Sequence, residues 1–230
     1  MIPLDVEYFK PVTLEIEKTN SLSLRGKDFN PDKNNILIAG CSIHFGSFVN
    51  EEHIFPNLLV EKLGEEYGYL NISVPGSSID MEIKNITWAL TNFKFKNFLW
   101  LMPHPVRSFY YHEQVGILPY NPGFKHPWFS TVQGRNWVEC RISNDYDIVR
   151  KALDQIELLF LLLKTLELDS YVSSWDKNID KNLSQLRSKF NIKSLPHFPK
   201  LDIVGESHSP HPGILSHSSY ADKLYELIKP

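Results

Sequence analysis

Cysteine is scarce in this sequence. Its 230 residues include two, Cys41 and Cys140. Two cysteines are too few for the disulfide framework of a small secreted domain, and they do not show the spacing of zinc ligands. We therefore expect a reducing compartment and a cytoplasmic location, with no structural metal.

Long apolar runs, an excess of positive charge and nucleotide-binding motifs are also missing. The longest apolar run, Leu158 to Leu163, is far shorter than the roughly 20 residues of a membrane span. The first 20 residues lack the apolar core of a signal peptide. The net charge is -3, which gives no reason to expect nucleic acid or an anionic membrane as a partner. Neither GxGxxG nor a P-loop occurs, so we expect no nucleotide cofactor.

Short apolar runs alternate with segments of helical periodicity. The runs predict buried strands at Ile36–Ala39, Tyr69–Val74, Phe98–Met102 and Tyr171–Trp175. The periodic segments predict helices at about Phe55–Leu63, Ile79–Leu90, Tyr146–Leu168, Ile179–Phe190 and Ser216–Ile228. This alternation is typical of βαβ units around a parallel sheet, so we predict an α/β fold.

The whole chain, residues 1–230, is predicted to form one domain because a core of this size suits one. Residues 1–35 are a polar lead-in with an alternating, strand-like segment at Thr13–Glu17. Residues 103–144 interrupt the βα alternation with five prolines and many aromatic residues. This insertion either forms a wall of a pocket or only covers the core.

Three predicted strands end in residues that can carry chemistry. Ser42 follows the first strand, Gly76 the second and His104 the third. The carboxyl ends of parallel strands border the crevice in which α/β sheets bind their ligands. His211 lies just before the last helix. A serine, an imidazole base and backbone N–H groups for an oxyanion are what acyl transfer requires.

Other interpretations of these residues are open. Ser42 can belong to an ordinary polar turn. His208, His211 and His217 have the side chains that zinc prefers, but no other cluster with ligand spacing accompanies them. His44 and His53 fit surface or hydrogen-bonded structural roles, and Cys41 fits a small buried apolar role.

Three short motifs resemble those of the SGNH hydrolases, also called GDSL esterases and lipases. They are Gly40-Cys41-Ser42 after a buried strand, Asn71 to Ser78, and His211-Pro212-Gly213 before the last helix. Their order along the chain is also that of the family. The resemblance implies a three-layer α/β/α sandwich with a flavodoxin-like parallel sheet.

The resemblance also implies an activity and a set of site residues. Ser42 is the nucleophile and His211 the base, with the N–H groups of Ser42 and Gly76 in the oxyanion hole. The implied reaction is hydrolysis of a small acyl ester, for which a carbohydrate O-acetyl group is a plausible example. The partner is then a small-molecule or glycan ester, and neither cofactor nor metal is expected.

The sequence departs from the family pattern at three places. Cys41 stands where the first motif has aspartate, and the segment after the third strand lacks the asparagine of the oxyanion hole. His104 or Arg107 is the positional substitute as an oxyanion donor, and Arg107 is also a candidate for binding a substrate carboxylate or phosphate. The usual acid position holds His208, so Glu206 and Asp202 are the candidates for orienting His211, and a weaker Ser–His pair without an acid is the third alternative. These departures also allow a catalytically degenerate binding or structural module.

Overall fold

The computed structural model describes residues 20–22, 24–105, 107–112, 116–120, 131, 133–136, 145–205 and 210–230. The predicted strand at Thr13–Glu17 lies outside these ranges, and so do Glu206 and His208. Within them no helix is both long and apolar enough to cross a membrane. That the whole chain forms one domain stays a prediction.

The strands of the described residues are β1 (Asn34–Gly40), β2 (Tyr67–Asn71), β3 (Asn97–Met102), β4 (Ser108–His112), β5 (Gly116–Tyr120), β6 (Asp169–Ser174), β7 (Ile203–Val204) and β8 (His211–Pro212). Four of them form the central parallel sheet, and the order across it is β2-β1-β3-β6. At the edge beyond β6, Lys193 forms a parallel bridge with Tyr171. This is the flavodoxin-like strand order with its fifth position reduced to a bridge.

Helices cover both faces of the sheet, which gives the predicted three layers. They are α1 (Ser42–Phe45), α2 (Phe55–Leu63), α3 (Ile79–Asn92), α4 (Asp145–Thr165), α5 (Lys177–Phe190) and α6 (Ile214–Ile228). One core cluster joins Leu37 and Trp100 to α3, α4 and α5. The other joins Ile36 and Leu99 to α2 and α6. Successive residues of β1 enter opposite clusters because side chains alternate across a strand.

Strand β1 positions Ser42 at the carboxyl edge of the sheet. Its last six residues are buried, as expected of a central parallel strand. Gly40 has φ +152°, and a Cβ there would lie 2.9 Å from His44 Cβ and 3.0 Å from the Leu101 carbonyl oxygen. Only glycine fits this close turn between strand and helix.

The element types are as predicted, and some boundaries differ. Strand β2 ends at Asn71, whereas the apolar run predicts an end at Val74. Hydrogen bonds from Ile72 N–H to Ile38 and from Val74 N–H to Gly40, at 2.9 and 3.0 Å, nevertheless carry the pairing onward. Within the 103–144 insertion, β4 and β5 form an antiparallel hairpin.

Candidate active site

The predicted site segments lie along one edge of the sheet. Ser42 follows β1, Gly76 follows β2, His104 follows β3 and Trp175 follows β6. These strands are parallel neighbours, so their carboxyl ends lie side by side, about 5 Å apart per strand. The topology therefore places the predicted serine and the predicted oxyanion loop in neighbouring positions.

Ser42 is the first residue of the short helix α1 and is partly exposed. As the first helical residue, it has an N–H group without an intrahelical acceptor. Its own carbonyl oxygen accepts the N–H of Ser47 at 3.0 Å. The helix ends at Phe45 and is followed by the cap residue Gly46, whose φ is +76°. Ser42 thus sits at a tight strand-to-helix turn, and its N–H needs a partner from outside the helix.

Gly76 occupies a four-residue turn beside that of Ser42. The Ser77 N–H donates to the Val74 carbonyl oxygen at 3.1 Å. Pro75 takes the second position and Gly76, with φ +77°, the third, which are the preferences of a type II turn. The Val74 N–H bonds to Gly40, so the turn is attached to the end of β1. The turn that contains Gly76 is therefore attached to the strand that Ser42 follows.

His211 lies in β8, a two-residue strand paired with β7. Cα atoms of β8 approach those of α1, which carries Ser42, to within 8 Å. The fold thus brings together two segments about 170 positions apart, as the motif order predicts. The ring of Phe48 packs edge-on against the His211 imidazole, with the two centroids 5.2 Å apart.

Asp202, one of two candidate acids for orienting His211, caps helix α6. Its Oδ1 accepts the Ser216 N–H at 2.8 Å and the Ser216 hydroxyl at 2.6 Å, and its Oδ2 accepts the Leu215 N–H at 2.9 Å. Burial acts to raise the pKa of Asp202, but these hydrogen bonds outweigh it and lower the pKa. The carboxylate thus stabilises the helix that begins three residues after His211.

Two other histidines belong to the core. The Ala39 carbonyl can only accept, so His44 Nδ1 donates to it at 2.9 Å and Nε2 is left as an acceptor toward the Tyr220 hydroxyl at 3.3 Å. His217 Nδ1 accepts the Phe55 N–H at 3.2 Å. Burial lowers their pKa values to about 3 and about 4, so both are neutral at pH 7. Among the described residues, no group of three or more metal-ligating side chains occurs.

His104 and Arg107 lie beside the end of β6. His104 Nε2 is 3.8 Å from Asp176 Oδ2, and its ring centroid is 6.4 Å from that of Trp175. The Arg107 N–H donates to the His104 carbonyl oxygen at 3.0 Å, and the guanidinium carbon lies 6.0 Å above the Trp175 ring. Adjacent strands thus place an imidazole, a guanidinium and an indole together.

Sequence reasoning missed two residues of this edge, Phe48 and Glu82. Phe48 is 62% exposed and has φ +66°, a conformation that is unusual for a bulky residue and often marks a functional position. No sequence pattern signals such a φ value.

Glu82 is 1% exposed and is hydrogen-bonded to Ser77 Oγ and Trp100 Nε1. Burial raises its pKa to about 8, against the weaker opposing effects of Ser77, Trp100 and Arg107. The sequence does contain a signal for the burial of Glu82. Ile79, Ile86 and Ala89 lie on the same helix face, so the helical spacing places this glutamate among apolar residues.

Comparisons with known proteins bear on the fold. No family model and no curated protein matches the sequence. Among solved structures, an esterase from Pseudoalteromonas sp., EstA, is similar with a TM-score of 0.55 and 15% identity, over 84% of this chain and 96% of that one. A putative lipolytic protein of the G-D-S-L family from Desulfitobacterium hafniense DCB-2 gives 0.52 and 9%, over 85% and 100%.

An acetyl xylan esterase, AlAXEase, is similar with a TM-score of 0.53 and 12% identity, over 84% of this chain and 99% of that one. Structural similarity at sequence identities this low supports the fold and does not establish the activity. They agree with the parallel sheet, its strand order and the helices on both faces. The chain therefore has the α/β fold of the SGNH hydrolases, as its three short motifs predict.

Proposed function

We propose that this protein is a serine esterase that hydrolyses a small acyl ester. The observation that carries the proposal is the approach of α1, which begins with Ser42, to β8, which contains His211. The neighbouring turns of Ser42 and Gly76 supply backbone N–H groups at the same edge. An alcohol, an imidazole and paired N–H donors at one place are the groups that acyl transfer uses.

In the acylation step, the Ser42 hydroxyl oxygen attacks the ester carbonyl while His211 takes the hydroxyl proton. The N–H groups of Ser42 and Gly76 bind the oxyanion of the tetrahedral intermediate. One such donor contributes about 3 kcal/mol to transition-state stabilisation in a measured protease. His211 then gives its proton to the leaving alcohol, and the acyl group stays on Ser42.

In the second step, water attacks the acyl-enzyme while His211 accepts one of its protons. Collapse of the intermediate releases the acid and returns a proton to Ser42 Oγ. A carbohydrate O-acetyl ester is the substrate class we favour, in line with the activity named for the structurally similar acetyl xylan esterase. Glu206 is the acid we favour for orienting His211, because Asp202 is engaged at the start of α6.

Phe48 offers a separate test of this arrangement. Replacing Phe48 by glycine relieves the cost of φ +66°, so we expect a protein about as stable as wild type or up to about 1 kcal/mol more stable. The same change removes the ring packed against His211, so we expect kcat for 4-nitrophenyl acetate to fall about two- to fivefold. Urea denaturation and steady-state kinetics measure the two effects.

Phe48→Ala is the matched control, since it loses the ring but keeps a Cβ at the same backbone position. It should lose as much activity as Phe48→Gly without the gain in stability. If Phe48→Gly keeps the full wild-type kcat, Phe48 does not position His211. If Phe48→Gly is clearly less stable than Phe48→Ala, the backbone at residue 48 is not strained.

A catalytically degenerate binding module is the alternative function. It is favoured by the departures at the site, namely the engaged carboxylate of Asp202 and the absence of asparagine from the segment after β3. In that case the same edge of the sheet binds a ligand without catalysing its conversion.

A fluorophosphonate probe separates the two functions, because it labels only an activated serine. We expect wild-type protein to be labelled, Ser42→Ala to be unlabelled and His211→Ala to be labelled much more slowly. Circular dichroism establishes that each variant is folded. A folded wild-type protein that does not react with the probe contradicts the esterase and favours the binding module.

A further inference from the structure

Arg107 carries a buried polar atom with no partner. Within the described ranges, its Nη1 has almost no exposed surface and makes no hydrogen bond. Buried N–H donors are nearly always satisfied, and an orphaned one on a charged group costs more than a neutral one. An exception at the carboxyl edge of the sheet, where ligands bind, points to a group supplied by a ligand.

The acidic side chains nearby do not neutralise this guanidinium. Glu82 is close enough to interact with Arg107 electrostatically, but burial keeps it protonated at pH 7 by raising its pKa to about 8. Asp176 faces His104, with 3.8 Å between Nε2 and Oδ2. Among the described residues, Arg107 forms no salt bridge. Among the described residues, Arg107 Nη1 therefore remains a charged donor without a partner.

Trp175 lies beside Arg107 and offers an aromatic surface to a ligand. It directly follows β6, and its side chain is 43% exposed. The Arg107 guanidinium carbon lies 6.0 Å above its ring, at the outer range of a cation–π contact. A large aromatic face open to solvent beside a cation suits a ligand with an apolar face and an anionic substituent, as a sugar acid or sugar phosphate has.

The position of this pair fits the proposed reaction. Arg107 follows β3 and Trp175 follows β6, whereas Ser42 follows β1, the strand next to β3. Neighbouring strands are about 5 Å apart, so the pair lies one to two strand spacings from the serine along the same edge. A monosaccharide and its ester group can span that separation.

We propose that Arg107 and Trp175 form a subsite for an anionic sugar, with the indole against the ring and the guanidinium on a carboxylate or phosphate. The inference rests on the proposed esterase function and names its substrate class, an O-acylated sugar that bears a negative charge. Specificity then comes from a buried charged donor that only an anion satisfies, since a neutral analogue leaves Nη1 unpaired.

Three acetyl esters that differ at one position test the charge preference. They are an O-acetylated methyl glucoside, the corresponding glucuronoside and the corresponding glucoside 6-phosphate. We expect wild-type kcat/KM to be about 10- to 100-fold higher for a charged ester than for the neutral one, the size of one charge-assisted contact. Preference for the glucuronoside identifies a carboxylate, and preference for the phosphate ester identifies a phosphate.

Two variants separate the subsite from general charge effects. Arg107→Met should bring the charged-to-neutral ratio of kcat/KM close to one, mainly through a higher KM for the charged ester. Lys94→Met removes an exposed cation from the loop before β3, at the opposite end of that strand, and should leave the ratio at its wild-type value. An unchanged ratio in Arg107→Met, or an equal fall in Lys94→Met, overturns the proposal.

A binding experiment distinguishes failure of the subsite from failure of the esterase. Ligand-observed NMR on Ser42→Ala compares unacetylated methyl glucuronoside, glucoside 6-phosphate and methyl glucoside. Preference for a charged sugar, lost in Ser42→Ala/Arg107→Met, supports the subsite even if no ester is hydrolysed, and then only the esterase function fails. Equal or absent binding of all three sugars overturns the subsite, whatever the hydrolytic activity.

Discussion

Ser42→Ala is expected to lower kcat/KM for 4-nitrophenyl acetate by about 10⁴-fold or more, judged by the loss of the nucleophile in serine proteases. The methyl group of alanine cannot form the acyl-enzyme. Because the Ser42 side chain is partly exposed and lies outside the core clusters, we expect little change in stability. Initial-rate kinetics and urea denaturation check both expectations.

Ser47→Ala is the matched control, because Ser47 lies five residues further on and its N–H, not its hydroxyl, bonds to Ser42. It should keep wild-type kinetics. His211→Ala should lose nearly as much activity as Ser42→Ala, and the double variant should lose no more than either, since a nucleophile and its base act as one unit. Additive losses in the double variant, or a Ser42→Ala enzyme with more than about a tenth of wild-type activity, contradict the assignment.

The sequence is sufficient to predict the sheet and the edge that carries the candidate site residues. Ile36 to Ala39 form an unbroken apolar run between turn residues, and such runs are local signals of a strand buried on both faces. Four of them separated by helical periodicity leave few arrangements other than a parallel sheet. Once the strands are parallel, Ser42, Gly76 and His104 must share one edge, and the structure places them there.

Side-chain environments along that edge are not predictable in the same way. Asp202 is fourteen residues from Ser216, yet it caps the helix whose first turn contains Ser216, and no local pattern reveals that pairing. Phe48 has a left-handed conformation three residues after α1, and no local pattern predicts it. The roles of Ser42, His211, Glu206, Gly76, His104 and Arg107 stay predictions.

Glu82 gives the largest expected effect on stability. Its folded-state pKa is about 8, against 4.5 for an unperturbed glutamate, with burial as the main cause. Between these values the folded state holds a proton that the unfolded state has released. The stabilisation is therefore complete below about pH 4.5 and is lost as the pH rises toward 8, by about 1.4 kcal/mol per pH unit.

Glu82→Gln tests this directly because glutamine reproduces the neutral acid. Trp100 Nε1 can only donate, so a protonated Glu82 keeps its proton on the oxygen that faces Ser77. Glutamine places its oxygen toward the indole and its N–H toward Ser77 in the same way. We expect the stability of the variant relative to wild type to increase by about 3 kcal/mol between pH 5 and pH 7.5.

The difference between the two proteins isolates Glu82 from the buried histidines. His44 and His217 have lowered pKa values, so both proteins lose stability together as the pH falls below about 6.5. The histidines lower stability as the pH falls, whereas Glu82 lowers it as the pH rises. The contribution of the histidines is the same in both proteins, so it cancels when wild type and Glu82→Gln are compared. A gap between wild type and Glu82→Gln that stays constant from pH 5 to pH 8 would mean that Glu82 does not titrate in this range. A variant that is less stable at every pH would instead indicate an ionised carboxylate, held by Arg107 more strongly than burial opposes it.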